Sequence, residues 1–264
     1  MPTPDTLAPE LSVQHVSKEF TSRGATIRVL EDVSFSVKRG EFFVIVGPSG
    51  CGKSTLLRII QGLETPNGGV ITLAGQPLSG PSSDRGFVFQ QDSLYPWRTV
   101  LQNTILGLEI MGKPRAAATE RAMSLISLVG LTGFEKHYPR ELSGGMRQRV
   151  NLARALAIDP KMLLMDEPFA ALDALTRETM QQELLRIAAA ANKTVLFITH
   201  QIEEAVLLAD RVLVMSARPG RVVETIPIDL PRPRSLSIKR SPQFQALVDR
   251  IWNLVSTTEQ PEHT

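Results

Sequence analysis

Apolar residues fall along this chain in short, dense runs that are separated by longer segments with helical spacing. Runs rich in branched and aromatic residues predict strands at residues 11–16, 33–37, 42–46, 70–73 and 86–89. Three later runs are almost continuously apolar, as parallel strands buried on both faces are, at residues 162–165, 194–199 and 211–215. Because these strands alternate with helical segments, the pattern predicts an α/β core.

The strand pattern disappears between about residue 92 and residue 140, where Leu, Ile and Met recur at helical spacing. We therefore expect a helical insert at about residues 92–158. Near the end, an apolar stripe predicts a last amphipathic helix with Phe244, Leu247, Val248, Ile251, Leu254 and Val255 on one face. Residues 1–10 and 257–264 are rich in proline or polar residues, so we expect flexible ends around one domain at residues 11–256.

Composition narrows the class of protein. The 29 Lys and Arg residues nearly balance the 27 Asp and Glu residues, so no global field favours nucleic acid as the main partner. Cys51 is the only cysteine, and the first residues do not resemble a secretory signal, which favours the cytosol. The longest apolar runs are far shorter than the roughly 20 residues of a spanning helix. Any membrane role must therefore come through another polypeptide.

A glycine-rich segment follows the strand predicted at residues 42–46 and precedes a helical stretch. This order is that of a P-loop, formed here by Gly47, Pro48, Ser49, Gly50, Cys51, Gly52, Lys53, Ser54 and Thr55. Glycines let backbone N–H groups converge on a phosphate, and the helix start adds its positive end. We expect Lys53 to reach the β and γ phosphates and Ser54 to bind Mg²⁺. The alternative, a glycine-rich turn that matches by chance, is disfavoured by the flanking elements.

Two adjacent carboxylates, Asp166 and Glu167, close the apolar run at residues 162–165. Parallel sheets bind ligands beyond the carboxyl ends of their strands, so both acids are expected beside the phosphate cradle. Asp166 suits the Mg²⁺ shell, and Glu167 suits the polarisation of a water aligned with the γ phosphorus. Such a pair alone is more often a solvated turn. Here it follows a P-loop at the expected separation.

A second candidate anion site precedes the helix predicted at residues 147–158. Ser143 is placed as the N-cap, and Gly144 and Gly145 leave backbone donors unblocked at the positive helix end. Taken alone, this segment favours an ordinary capped helix.

With these segments in order, the chain resembles the ATP-binding subunits of ABC transporters over almost all of its length. The family motifs match Walker A at residues 47–54, the Q-loop at Gln90, the signature at residues 142–146, Walker B at residues 163–167, the D-loop at Ala171-Leu172-Asp173 and the switch histidine at His200. The resemblance implies the ABC ATPase fold, which is a P-loop NTPase core with a mixed sheet, a helical insert subdomain and an antiparallel β portion. One departure is Met146, where many members have Gln.

The resemblance also implies roles that spacing alone leaves open. His200 would hold the γ phosphate and help to orient Glu167. Gln90 would sense the nucleotide, join the Mg²⁺ shell and touch the membrane partner. Phe20 would stack on adenine, although a core phenylalanine is the alternative.

The resemblance further implies a dimer, because each ATP in the family lies between the cradle of one subunit and the signature of the other. Ser143, Gly144, Gly145 and Asp173 would thus join the nucleotide-binding residues. Two subunits, identical or paralogous, would meet head to tail around ATP and Mg²⁺.

Residues 89–97, 144–149 and 216–221 look like those of the nitrate, sulfonate and taurine import branch. This likeness implies uptake of a small anion through separate permease subunits and, indirectly, an external solute-binding protein. The chain would be peripheral, at the cytoplasmic face of the inner membrane. Tyr95, Trp97 and Arg98 suit a groove for a permease helix, and local packing explains them equally well. A basic cluster near the end is expected to be a solvated loop, with lipid binding as the alternative, and comprises Arg232, Arg234, Lys239 and Arg240.

Two other classes of protein compete with the transporter hypothesis. A soluble ABC ATPase of DNA repair or translation usually carries two cassettes, a long coiled-coil insert or zinc motifs, and the sequence has none of these. A GTPase would carry an Asn-Lys-x-Asp pattern, but Asn192 and Lys193 are followed by Thr194 and Val195. A GTPase or a kinase would also leave the Ser-Gly-Gly site without a purpose.

Overall fold

The computed structural model describes residues 9–22, 24–90 and 93–259. The strands in chain order are β1 (Leu11–Ser22), β2 (Ala25–Val37), β3 (Phe42–Val46), β4 (Gly68–Leu73), β5 (Gln76–Pro77), β6 (Arg85–Val88), β7 (Met162–Asp166), β8 (Thr194–Ile198), β9 (Arg211–Met215) and β10 (Val222–Pro227). The helices are α1 (Lys53–Gln61), α2 (Val100–Ile110), α3 (Arg115–Leu128), α4 (Gly144–Ala157), α5 (Ala174–Ala191), α6 (Ile202–Leu208) and α7 (Pro242–Glu259). Short 3₁₀ turns occur at Pro139–Glu141 and Leu236–Arg240.

The chain divides into two compact units. The first unit combines the described residues up to Ser82 with those from Thr194 onward, and the second spans Ser83–Lys193. The predicted α/β class is confirmed, since the first unit contains a mixed sheet and a separate antiparallel sheet.

The mixed sheet of the first unit has β3 between two parallel neighbours, β8 and β9, with β10 antiparallel to β9. All five residues of β3 are buried, as its uninterrupted Phe-Phe-Val-Ile-Val sequence predicts for a central parallel strand. Helix α1 buries its apolar side chains, Leu56, Leu57, Ile59 and Ile60. This arrangement fixes the β3–α1 connection on a rigid base.

The antiparallel sheet of the first unit has the order β2-β1-β4-β5. Strand β1 pairs with β2 from Leu11 opposite Val37 to Ser22 opposite Ala25, with several register shifts along the way. The strands predicted at residues 11–16 and 33–37 are therefore the two ends of a long hairpin that lie farthest from its turn. The alternation of branched residues ends before the hairpin does, which explains why the sequence predicts shorter strands.

The end of the chain contradicts one expectation. The side chain of Arg234, predicted to lie in a solvated loop, is buried and donates hydrogen bonds to backbone carbonyls of Val206, Leu207, Ala209, Ile228 and Leu230. Burial lowers the pKa of the Arg234 guanidinium to about 10. Because the last carbonyls of a helix lack partners within it, Arg234 closes the carboxyl end of α6.

Helix α7 packs in the first unit through Phe244 and Ile251, two residues of the predicted stripe, which are both fully buried. It continues to Glu259, three residues past the boundary predicted from composition. Residues 1–8 and 260–264 of the predicted flexible ends lie outside the described part of the chain.

The second unit contains the parallel pair β6 and β7 and the helices α2 to α5. Helices α2, α3 and α4 occupy the stretch where the sequence predicts a helical insert, and α2 packs on both others. No helix in residues 9–22, 24–90 or 93–259 is both long and apolar enough to cross a membrane.

Candidate functional site

The loop between β3 and α1 has the form of a phosphate cradle. Gly52 precedes α1 with a φ of 105°, and a Cβ atom there would lie 2.7 Å from Leu30 Cδ2. Glycine is therefore required both for the left-handed backbone and for the close approach of β2. No side chain caps the start of α1. Since the first N–H groups of a helix lack internal partners, this end of α1 is suited to bind an anion.

Lys53, the first residue of α1, is buried within this loop with 6% of its surface exposed. Its Nζ atom donates to the carbonyl oxygens of Gly47 at 2.7 Å and Pro48 at 2.8 Å. Among the described residues no carboxylate pairs with it. It also lies 3.7 Å from Cys51 Sγ. Because these partners are all neutral, the loop concentrates positive potential where a phosphate would bind.

Cys51 is buried in the same loop. Burial raises the pKa of its thiol, although the nearby Lys53 ammonium opposes this effect. Burial thus favours the neutral form of the thiol, and Cys51 packs inside the loop.

His200 lies at the same edge of the mixed sheet as the P-loop. Ile45 of β3 is opposite Ile198 of β8, so Gly47 and His200 each follow a strand that ends at this edge. The Thr199 N–H donates to the Ile45 carbonyl at 3.3 Å, which ties the two strand ends together. The side chain of His200 is exposed. The first unit thus brings the P-loop and the predicted switch histidine to one edge.

Phe20 lies on β1 opposite Ile27 of β2, and its ring is 39% exposed. The Nζ atom of Lys18 lies 4.7 Å from the ring centroid. Phe20 is thus not a core residue. Its contact with adenine stays a prediction.

In the second unit, β6 and β7 bring three predicted site residues to one edge. Val88 is opposite Met165, so Gln90 follows β6 where Asp166 and Glu167 close β7. Glu167 has a φ of 44°, in the left-handed region that costs a non-glycine residue about 1–2 kcal/mol. Residues in this conformation are concentrated at functional sites, where the surrounding structure holds them. Gln90 is exposed, and the neighbouring Gln91 lies outside the described residues.

The Ser-Gly-Gly segment begins α4 as predicted. The Met146 N–H donates to Ser143 Oγ at 3.3 Å, which makes Ser143 the N-cap. A Cβ atom at Gly145 would lie 2.8 Å from Thr176 Cγ2, so a glycine is needed where α4 meets the first turn of α5. This contact gives Gly145 a packing role besides any role toward a ligand.

Asp173, in the predicted D-loop, caps α5 by accepting the Thr176 N–H at 3.0 Å. Its hydrogen bond from Thr176 lowers the pKa of the Asp173 carboxyl. The carboxylate therefore acts within its own chain, and its contact with nucleotide stays a prediction.

In the second unit, the buried side chain of Asn103 holds the loop at residues 95–99, for which the sequence leaves permease binding and local packing open. Asn103 is fully buried, accepts the Tyr95 N–H and donates to the carbonyls of Tyr95, Arg98 and Thr99. Above this network the rings of Tyr95 and Trp97 meet edge to face at 5.2 Å, with Trp97 69% exposed. The signal for Asn103 was a polar residue within an otherwise apolar helical pattern.

The residues predicted to bind Mg²⁺ fit that ion by chemistry. A hydroxyl, a carboxylate and an amide oxygen from Ser54, Asp166 and Gln90 are hard donors of the type that Mg²⁺ prefers. The described residues contain no group of three or more His, Cys, Asp or Glu side chains suited to a metal. In nucleotide sites, Mg²⁺ usually takes part of its shell from substrate phosphates and water.

Comparison with known proteins identifies the family of this chain. A family model described as "ABC transporter" matches residues 30–170. The taurine import ATP-binding protein TauB of Rhizobium johnstonii is 50% identical, with 94% of this chain and 97% of that protein covered. The nitrate import ATP-binding protein NrtD of a Synechocystis strain is 44% identical, with 96% and 97% covered.

Among solved structures, the dimeric post-hydrolysis state of the ATP-binding cassette MJ0796, bound to ADP and Pi, has a TM-score of 0.71 at 33% identity. The match covers 84% of this chain and 100% of that one. The chain therefore belongs to the ABC transporter family and has the fold of its ATP-hydrolysing cassette.

Proposed function

We propose that this chain, an ATPase of the ABC family, powers the import of a small anion through separate membrane permease subunits. The observation that carries the proposal is the P-loop, in which the uncapped start of α1 and the buried Lys53 ammonium are both suited to bind a phosphate. The relatives named for taurine and nitrate import match this chain almost from end to end, which supports import and a small anionic solute. They leave the soluble ATPase of repair or translation without support.

The proposed roles follow the chemistry of each group. Lys53 and the amides of the P-loop bind the β and γ phosphates, and Ser54 with Asp166 and Gln90 holds Mg²⁺, which would neutralise phosphate charge. Glu167 accepts the proton of the attacking water, and His200 contacts the γ phosphate. Phe20, which is partly exposed, stacks on adenine.

The proposed assembly is a head-to-tail dimer, in which Ser143, Gly144 and Gly145 of one subunit meet the nucleotide held by the other. Support comes from the dimeric cassette at 33% identity and from the exposed hydroxyl of Ser143 at a helix start. The permease contact is proposed at Tyr95 and Trp97, because exposed aromatic rings on a rigid base suit the binding of a partner helix. The subunit would lie at the cytoplasmic face of the membrane, with a solute-binding protein on the other side.

The proposal is tested by reconstitution of this subunit with its copurifying permease in vesicles. We expect ATP-dependent uptake of nitrate, taurine or an alkanesulfonate, and loss of uptake with Glu167→Gln subunits. Copurification with ribosomes or DNA instead of a permease would contradict it. A Trp97→Ala subunit that still hydrolyses ATP alone but no longer joins the permease would locate the docking loop.

A further inference from the structure

A loop far along the chain contacts the P-loop through hydrogen bonds and close backbone packing. It connects β9 to β10 and is called here the clasp, residues 216–221. The Nε and Nη2 atoms of Arg218 donate to the Gly50 carbonyl at 3.2 and 3.1 Å. Gly220 is so close that a Cβ atom there would lie 2.1 Å from the Cys51 carbonyl oxygen. Two successive carbonyls of the P-loop thus face the clasp.

The clasp is itself fixed. Ser216 Oγ accepts the Arg221 N–H at 3.0 Å and lies 3.1 Å from the Pro219 carbonyl, which closes the loop on itself. Gly220 donates its N–H to the Val29 carbonyl at 2.8 Å and accepts the Glu31 N–H at 3.0 Å, which joins the clasp to β2. Arg218 therefore reaches the P-loop from a rigid support.

The hydrogen bonds from Arg218 to Gly50 determine the direction in which a P-loop amide points. In a trans peptide unit the C=O and N–H groups point in opposite directions. Because the Gly50 oxygen is held outward by Arg218, the N–H of Cys51 faces the interior of the loop, 3.4 Å from the Pro48 carbonyl. That carbonyl also accepts Lys53 Nζ. The amide next to the buried cation is thus oriented before any ligand arrives.

We infer that Arg218 is a positioning residue for nucleotide binding. It preorganises the P-loop amides for the β phosphate, which ATP and ADP both carry. The inference rests on the proposed function of the P-loop. Without the guanidinium, the Gly50 carbonyl loses the partner that holds it outward, and part of the binding energy is then used to order the Gly50–Cys51 peptide. Arg218 has no role in the chemical step, so its loss lowers affinity and leaves turnover at saturating ATP unchanged.

The test is equilibrium binding of ADP to the full chain by titration calorimetry, with ATPase kinetics alongside. We expect Arg218→Ala to bind ADP about tenfold more weakly, with a matching rise in KM and an unchanged kcat, and Arg218→Lys to recover most of the affinity. Arg221→Ala is the matched control, because Arg221 is in the same loop but pairs with Glu31 on β2. It should bind ADP as the wild type does.

Equal ADP affinity in Arg218→Ala and Arg221→Ala would overturn the inference, as would a fall in kcat without a rise in KM. Lys53→Ala separates this result from the proposed function. If Lys53→Ala binds ADP like the wild type, the P-loop itself is not the nucleotide site. If Lys53→Ala loses affinity and Arg218→Ala does not, only the role of Arg218 is wrong. Arg218→Gln provides a second neutral variant if the alanine variant is unstable.

Discussion

The first N–H groups of a helix lack partners within it, and helices α4 and α5 differ from α1 in how this is resolved. In the second unit, α4 and α5 begin behind Ser143 and Asp173, whose side chains accept a backbone N–H of the first turn. In the first unit, α1 begins behind Gly52, which offers no acceptor, and a buried ammonium lies beside it. A helix that is complete by itself supplies its own cap. We propose that a bound anion completes the start of α1, where the absence of a cap coincides with a buried ammonium.

The same comparison refines the role proposed for Ser143. Its hydroxyl is exposed and holds Met146 by a long bond of 3.3 Å. The α4 start is therefore capped within its own chain. A nucleotide on a partner subunit would meet a formed helix end, without first having to order it.

The largest effect separates binding from chemistry. Glu167→Gln should lower kcat for ATP about 100-fold to 10,000-fold, because the amide cannot accept a proton from water. ATP affinity should be retained, since the P-loop is untouched. Phosphate release and nucleotide titration measure the two effects, with Glu120→Gln on α3 as the control. Normal hydrolysis in Glu167→Gln would exclude Glu167 as the catalytic carboxylate.

The second effect tests the positive end of α1 directly. Lys53→Ala should weaken ATP binding about tenfold to a hundredfold, since a hydrogen bond to a charged group contributes about 1.5–3 kcal/mol. Fluorescent nucleotide titration measures it, with the exposed Lys136→Ala as the control. Unchanged ATP affinity would mean that Lys53 does not contribute to ATP binding at the start of α1. The difference between the uncapped start of α1 and the capped start of α4 would then not explain where the phosphate binds.

The third effect tests the capped end. Ser143→Arg should leave ATP affinity of the monomer within about twofold of the wild type while abolishing the ATP-dependent dimer, because a large cation blocks the approach of a partner. Light scattering in the Glu167→Gln background, with and without ATP, measures dimer formation. Ser143→Ala is the milder companion and should cost about 1 kcal/mol of stability through the lost cap. A dimer that survives Ser143→Arg would contradict the shared site.

The smallest effect is the pH dependence of the second cap. The hydrogen bond from Thr176 lowers the pKa of Asp173 below its unfolded value, so its stabilisation is present above about pH 4 and is lost as pH falls through the folded pKa. Asp173→Asn can still accept the N–H of Thr176 but does not titrate. The melting temperatures of the two nucleotide-free proteins should therefore converge as pH falls below about 4. A constant difference at all pH values would show that the carboxylate charge does not stabilise the cap.

Much of the fold was predictable because its signals are local. The runs at residues 42–46, 194–199 and 211–215 are strands β3, β8 and β9, since parallel strands that are buried on both faces are almost continuously apolar. The N-cap at Ser143 was predictable for the same reason, as a hydroxyl before two glycines acts within one turn. Strand β10 was missed because its Val-Val-Glu-Thr-Ile-Pro sequence mixes polar and apolar residues at the edge of a sheet.

The basic cluster shows where local reasoning fails. Arginine is usually exposed, and prolines surround Arg232 and Arg234, so a solvated loop was the reasonable prediction. In the structure Arg232 pairs with Asp210, and Arg234 satisfies the carbonyls that end α6. The partners of Arg234 are 4 to 28 residues away, and nothing in the cluster itself encodes them.

The sequence by itself determined the order of the elements, the family and the segments that carry chemistry. These follow from short-range rules, because glycine conformations, helix caps and apolar runs act over a few residues. Only the tertiary structure decided that Arg218 holds Gly50 from 168 residues away and that Glu167 takes a left-handed backbone. Such contacts arise when distant segments meet on a packed core, and their energies depend on distances that no local pattern contains.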